Sequence, residues 1–173
     1  MIDIGQALPR LTRDAYFADG RIDSITLDAC RGRWLVLFCW ALDFTVASAR
    51  VVRDYAALSR DFEISGTTLL GVSVDSAHAH QAWVKQDLGP VGFPMLGDVS
   101  RTLCQALGVL TASGVAANAT VIADPEGRVI SVTASGSCTG RSAHDSLCSL
   151  HALQSRDQTA RDGLTRLSTL ASI

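Results

Sequence analysis

The segment CWALDFTVASARV, residues 39–51, gathers a thiol, a carboxylate and two hydroxyls where an apolar strand gives way to a helix. The groups are Cys39, Asp43, Thr45 and Ser48. A loop that opens into a helix sets its first-turn residues beside free backbone N–H groups, where a nucleophile or a developing negative charge is stabilised. Ser48 occupies that place. A serine nucleophile needs a neighbouring base and an oxyanion hole, yet no histidine lies between Trp40 and Arg53 and no G-x-S-x-G turn is present. The plainer role for Ser48 is to satisfy free N–H groups at the helix start. Cys39 has two readings: a small buried hydrophobe, or a reactive thiol if the strand end opens into a pocket. In the second, Cys138, in a loop with Thr139 and Gly140, would be its partner.

The elements that must position these groups follow from periodicity. WLVLFC, residues 34–39, is a continuous apolar run suited to a strand buried on both faces. Val51, Tyr55, Leu58 and Phe62 then mark one face of a helix over about residues 47–62. TTLLGVSV, residues 67–74, supplies a second buried strand, so the three form a βαβ unit with a right-handed crossover. Ser76 caps a second helix. Pro90 and Pro94 interrupt the next stretch, and a short helix follows in VSRTLCQALGV. The two apolar runs around Asp124, Pro125, Glu126 and Gly127 predict an antiparallel hairpin. A last helix from near Arg141 buries Leu147 and Leu150, with Cys104 and Cys148 as packing residues. Asp19 and Gly20 mark a small N-terminal hairpin. The sum is an α/β chain with a mixed β-sheet flanked by helices, a thioredoxin-like fold, over residues 1–155, and a polar C-terminal tail or short helix over 156–173.

The 173 residues suit one domain with a sizeable core. Fifteen basic and seventeen acidic side chains are interspersed, with no basic stripe, which argues against nucleic acid as a partner. No apolar stretch approaches the roughly 20 residues that span a bilayer, and MIDIGQALPR does not read as a signal peptide. A cytoplasmic protein is expected. Five cysteines without a C-x-x-C pair point to reduced thiols. His78 and His80 form an H-A-H pair with no other ligands at metal-binding spacing. No metal or cofactor is expected.

VLFCWALDFT (36–45), LLGVSVDSAHAHQAW (69–83), LGDVSRTLCQALGVL (96–110), VIADPEGRVISVT (121–133) and TGRSAHDSL (139–147) together resemble the peroxiredoxins, most of all the alkyl hydroperoxide reductase C and thiol-specific antioxidant branch. The resemblance runs in register from about residue 3 to residue 154. It implies a thioredoxin fold and, in active members, reduction of hydroperoxides by a cysteine in a Pro-x-x-x-Thr-x-x-Cys motif, assisted by an arginine. A helix N-terminus and a guanidinium lower that thiol's pKa, and threonine and backbone N–H groups orient the peroxide.

Carried over by position, the motif proline falls at Ala41, the threonine at Thr45, the peroxidatic cysteine at Ser48 and the assisting arginine at Asn118. The residue after the motif, a proline in the family, is Ala49. A second arginine typical of this branch matches Arg141. The C-terminal Val-Cys-Pro segment that supplies a resolving cysteine in two-cysteine members has no counterpart in RDQTARDGLTRLSTLASI. A serine cannot carry oxygen as a sulfenic acid and be reduced again, so the expectation is a peroxiredoxin-like protein without the usual hydroperoxide reductase activity, acting in binding, assembly or redox regulation. The family's habit makes a homodimer or higher oligomer, or a mixed assembly with an active paralogue, the expected partner state. The alternative is an active thiol-dependent peroxidase for hydrogen peroxide and alkyl hydroperoxides that has moved its chemistry to Cys39 or Cys138, with Arg141 as activator.

Overall fold

The computed structural model describes residues 2–135 and 142–170, with side chains through residue 160. Seven strands form one sheet: β1 (Thr12–Tyr16), β2 (Ile22–Thr26), β3 (Trp34–Cys39), β4 (Thr67–Ser73), β5 (Met95–Gly97), β6 (Asn118–Ala123) and β7 (Val129–Ser135). Their order across the sheet is β2-β1-β5-β4-β3-β6-β7. The β3–β4 and β4–β5 pairs are parallel; β1–β2, β1–β5, β3–β6 and β6–β7 are antiparallel. The helices are α1 (Val46–Ala57), α2 (Ser59–Ile64), α3 (Ala77–Trp83), α4 (Thr102–Leu107) and α5 (Ala143–Leu170).

Interior strand β3, beside the central β4, shows how the sequence divides the core. Its alternation sends Leu35, Leu37 and Cys39 into one apolar cluster with Leu103, Cys104 and Leu107 of α4. Val36, Phe38 and Trp40 enter the other, with Val52 and Tyr55 of α1, Trp83 of α3, and Leu147 and Leu150 of α5. A strand buried on both faces must be apolar throughout, which is why WLVLFC carries no polar residue.

The expected βαβ unit, both hairpins and the Ser76 cap are present; the Ala79 N–H donates to Ser76 Oγ at 3.1 Å. Two expectations change, and two elements go beyond the sequence reading. The helix over 47–62 is two, because Leu58 leaves the helical path (φ −104°, ψ 7°) and α2 begins at Ser59. Strand β5, three residues long and directly after Pro94, is too short an apolar run to show periodicity. α5 begins at Ala143, close to the expected start, and runs through Leu170, across residues where a polar tail or short helix was expected. Cys148 is exposed instead of packed. Among the described residues no helix is long and apolar enough to cross a membrane.

Candidate functional site

The β3–α1 loop is held from below by a buried polar cluster. Trp40, at the end of β3, donates its indole N–H to Asp43 Oδ1 at 2.8 Å. Asp43 Oδ2 lies 2.7 Å from His80 Nδ1, and His80 Nε2 lies 3.1 Å from the Leu96 carbonyl. Both ring nitrogens therefore face oxygen acceptors. The Asp43 N–H in turn donates to Asp75 Oδ2 at 2.8 Å, and the Ser73 hydroxyl donates to the same oxygen at 3.1 Å. Trp40 and His80 are fully buried and Asp43 is 7% exposed. The cluster joins the ends of β3 and β4 to α3 and β5, and so fixes where the loop leaves the sheet.

Gly71 makes room for this arrangement. A Cβ there would sit 2.6 Å from Trp40 Cζ3 and 3.0 Å from Phe38 Cζ. Above the cluster the chain turns sharply at Phe44, whose φ of 56° is left-handed for a non-glycine residue. Leu42, Phe44 and Val46 project from this turn, and Val46 is 91% exposed.

Thr45, rather than Ser48, is the N-cap of α1. Its Oγ1 accepts the Ser48 N–H at 3.2 Å and lies 2.8 Å from Ser48 Oγ as donor. Ser48 is therefore the capped residue, and at 3% exposure it is buried instead of presented to solvent. Ala49 beside it is also buried, and Ala41 lies at the start of the turn, half-buried.

The residues carried over from the family motif fall into two groups. Thr45 and Ser48 touch each other on α1. Asn118 opens β6 and lines a narrow cleft of about 20 Å3 with Val51 and Tyr55 of α1, Cys39, Thr120, Thr133 and Ser135. Val51 lies one turn past Ser48, so the cleft runs along the same helix. Tyr55 closes its floor: its hydroxyl lies 2.8 Å from both Thr120 Oγ1 and Ser146 Oγ, tying α1 to β6 and α5. Arg141 and Cys138 lie outside the described residues.

Cys39 borders this cleft, but its side chain belongs to the cluster on the α4 face, away from α1. Burial, with a smaller contribution from the negative charge of Asp98, pushes its thiol up to about 12. Burial likewise raises Cys30 and Cys104. A thiol held protonated is a poor nucleophile. Among the described residues no group of three or more His, Cys, Asp or Glu side chains could hold a metal.

The Asp43–His80 pair was not legible as a unit in the sequence. Its signal was the position of His80, four residues past the Ser76 cap and hence on the same side of α3 as Ala77 and Trp83, all three buried.

A seven-stranded mixed sheet with helices on both faces, a βαβ core and an antiparallel hairpin define a thioredoxin-like fold. Solved structures with this arrangement include a reduced 2-Cys peroxiredoxin of Plasmodium vivax (TM-score 0.86, 25% identity, covering 90% of this chain and 98% of that one) and AhpC of Mycobacterium tuberculosis (TM-score 0.83, 36% identity, 90% and 95%). The AhpC/TSA family model matches residues 4–132. The alkyl hydroperoxide reductase C of Mycobacterium tuberculosis is 41% identical over 139 residues, 79% of this chain and 71% of the relative, and that of Mycolicibacterium smegmatis is 38% identical over 149 residues, 85% and 76%. The chain belongs to the AhpC/TSA family of peroxiredoxins.

Proposed function

We propose that this protein keeps the peroxiredoxin scaffold without its peroxidase centre and acts as a cytoplasmic binding or assembly partner in redox regulation. The observation that carries the reading is Ser48: at the position matched to the family's peroxidatic cysteine stands a buried hydroxyl, hydrogen-bonded to the cap residue Thr45. A hydroxyl cannot pass through the sulfenic acid that peroxide reduction requires. The flanking replacements agree with it, because Ala41 and Asn118 stand where the family motif has proline and arginine. Asn118 places a neutral amide in the cleft instead of a guanidinium, and so supplies no positive charge to hold a thiolate or a developing oxyanion.

Assembly is the role the surface favours. Leu42, Phe44 and Val46 expose apolar area on one turn, and β7, covered at Val129 by Gly5 and Gln6, leaves the rest of its sheet edge unpaired by any described strand. One structural neighbour, a Plasmodium yoelii Prx1a modified at its N-terminus, is described as an artifactual octamer. A homodimer or larger homo-oligomer, or a mixed assembly with an active paralogue, fits these features; native mass spectrometry and copurification distinguish them, and a strict monomer in both would overturn the assembly role.

The competing enzyme reading rests on Cys39, which borders the cleft beside Asn118. Consumption of hydrogen peroxide and cumene hydroperoxide with excess dithiothreitol separates the two. The scaffold reading expects no turnover above that of ordinary surface thiols. Turnover lost in Cys39→Ala, with sulfenic acid trapped on Cys39 in the parent, would replace it with the enzyme reading.

A further inference from the structure

Of the described cysteines, Cys30, Cys39 and Cys104 are buried and Cys148 is exposed. Cys148 lies one turn past His144 on α5, with Sγ 3.7 Å from His144 Nδ1. The spacing puts both side chains on one helix face, and that face is turned outward: Ala143, Ser146, Leu147 and Leu150 meet the core while His144 and Cys148 remain exposed. The neighbouring ionisable groups are engaged elsewhere. Asp145 Oδ2 accepts the Ser142 N–H at the helix start, and His151 Nε2 lies 2.8 Å from the Ser65 hydroxyl. An accessible thiol with an imidazole nitrogen in reach is the arrangement that generates a nucleophilic thiolate, because the ring accepts the thiol proton as sulfur attacks.

We propose that Cys148 and His144 form a thiol-modification site that accepts a mixed disulfide from a low-molecular-weight disulfide. His144 Nδ1 takes the Cys148 proton, and the Cys148 sulfur attacks one sulfur of the small disulfide. The new S–S bond forms as the old one breaks, and the departing thiolate takes the proton from the imidazolium to leave as a free thiol. The small disulfide is the oxidant and Cys148 the thiol oxidised. No residue of the β3–α1 loop takes part, so the site is independent of whether Ser48 replaces a catalytic cysteine.

Oxidised glutathione is the probe. The folded protein is incubated with it, and each thiol is assigned by peptide mapping over time, in the parent and in His144→Phe and His144→Asn, whose fold is checked by circular dichroism. The expected result is a first adduct on the Cys148 peptide, formed about tenfold more slowly in both variants. Three results would overturn the proposal: a first adduct on Cys138 or any other cysteine, equal Cys148 rates in parent and variants, or a parent rate no greater than that of Cys148 in the urea-unfolded chain.

Discussion

Replacing His80 with leucine tests whether the buried cluster beneath the β3–α1 loop holds that loop in place. His80→Leu places an apolar side chain of similar size between Trp40 and the Leu96 carbonyl, so the change is chiefly the loss of two hydrogen bonds. Asp43 Oδ2 loses the partner at 2.7 Å and the Leu96 carbonyl the one at 3.1 Å. Asp43 keeps the Trp40 indole on its other oxygen, but its buried Oδ2 is left without the ring that faced it. Breaking one side of a buried pair costs about 3–5 kcal/mol. For a domain of this size each kcal/mol moves the melting temperature by roughly 2–4 °C, so the expected loss is roughly 6–20 °C. Thermal unfolding followed by circular dichroism measures it, and urea unfolding gives the free energy, with an unchanged slope showing that the exposed surface is the same. The sign of a second change is the sharper check: Asp43→Asn in the His80→Leu background removes the stranded charge and should raise stability above that of His80→Leu alone. A single-variant loss below about 1 kcal/mol, within the range of an exposed pair, or a double variant less stable than the single, would refute the account of a buried pair anchoring the loop.

Gly71→Ala drives a Cβ to 2.6 Å from the Trp40 ring and should cost about 1–3 kcal/mol by overpacking, read by the same unfolding curves. Stability should also fall with alkali: Cys39 titrates at an ordinary value of 9.0 when unfolded and at about 12 when folded. The contribution of its protonated form is complete below pH 9 and is lost as pH rises toward 12, at roughly 1.4 kcal/mol per pH unit. Cys39→Ala should flatten the decline between pH 9 and pH 11, and parallel curves for parent and variant would contradict the burial of that thiol. Ser48→Cys restores a thiol at the first turn of α1 but leaves Asn118 in the cleft; its peroxide consumption should rise about 10²-fold on adding Asn118→Arg, and a double variant no faster than the single would show that Asn118 does not stand where an assisting arginine can act.

The parts legible in the sequence were those with a strong local period. WLVLFC could only be a strand buried on both faces, and Asp124–Gly127 could only turn a hairpin. What periodicity could not give was tertiary. The break at Leu58 falls inside an unbroken apolar stripe, because both α1 and α2 turn that stripe to the same core cluster. β5 is three residues long and is recruited by the partners on either side of it. At the site, the types and positions of Thr45, Ser48 and Asn118 were readable, but the division of labour was not: Thr45 caps the helix and Ser48 is capped, a distinction set by backbone direction at Phe44. Cys148 was misread for a similar reason, since Leu147 just before it and Leu150 two positions on are buried while it faces outward.

The structure separates what shapes the β3–α1 loop from what faces the cleft. The loop is set from behind, by the Trp40 indole and His80 on Asp43, by Asp75 on the Asp43 N–H, and by the space that Gly71 leaves for the Trp40 ring. Ala41, Ser48 and Asn118 make none of those contacts. Exchanging them therefore need not disturb the turn, the exposed apolar side chains Leu42, Phe44 and Val46, or the start of α1. A scaffold anchored this way can change the residues at those three positions and still present the same outer surface, which is the physical condition on which the proposed assembly role rests.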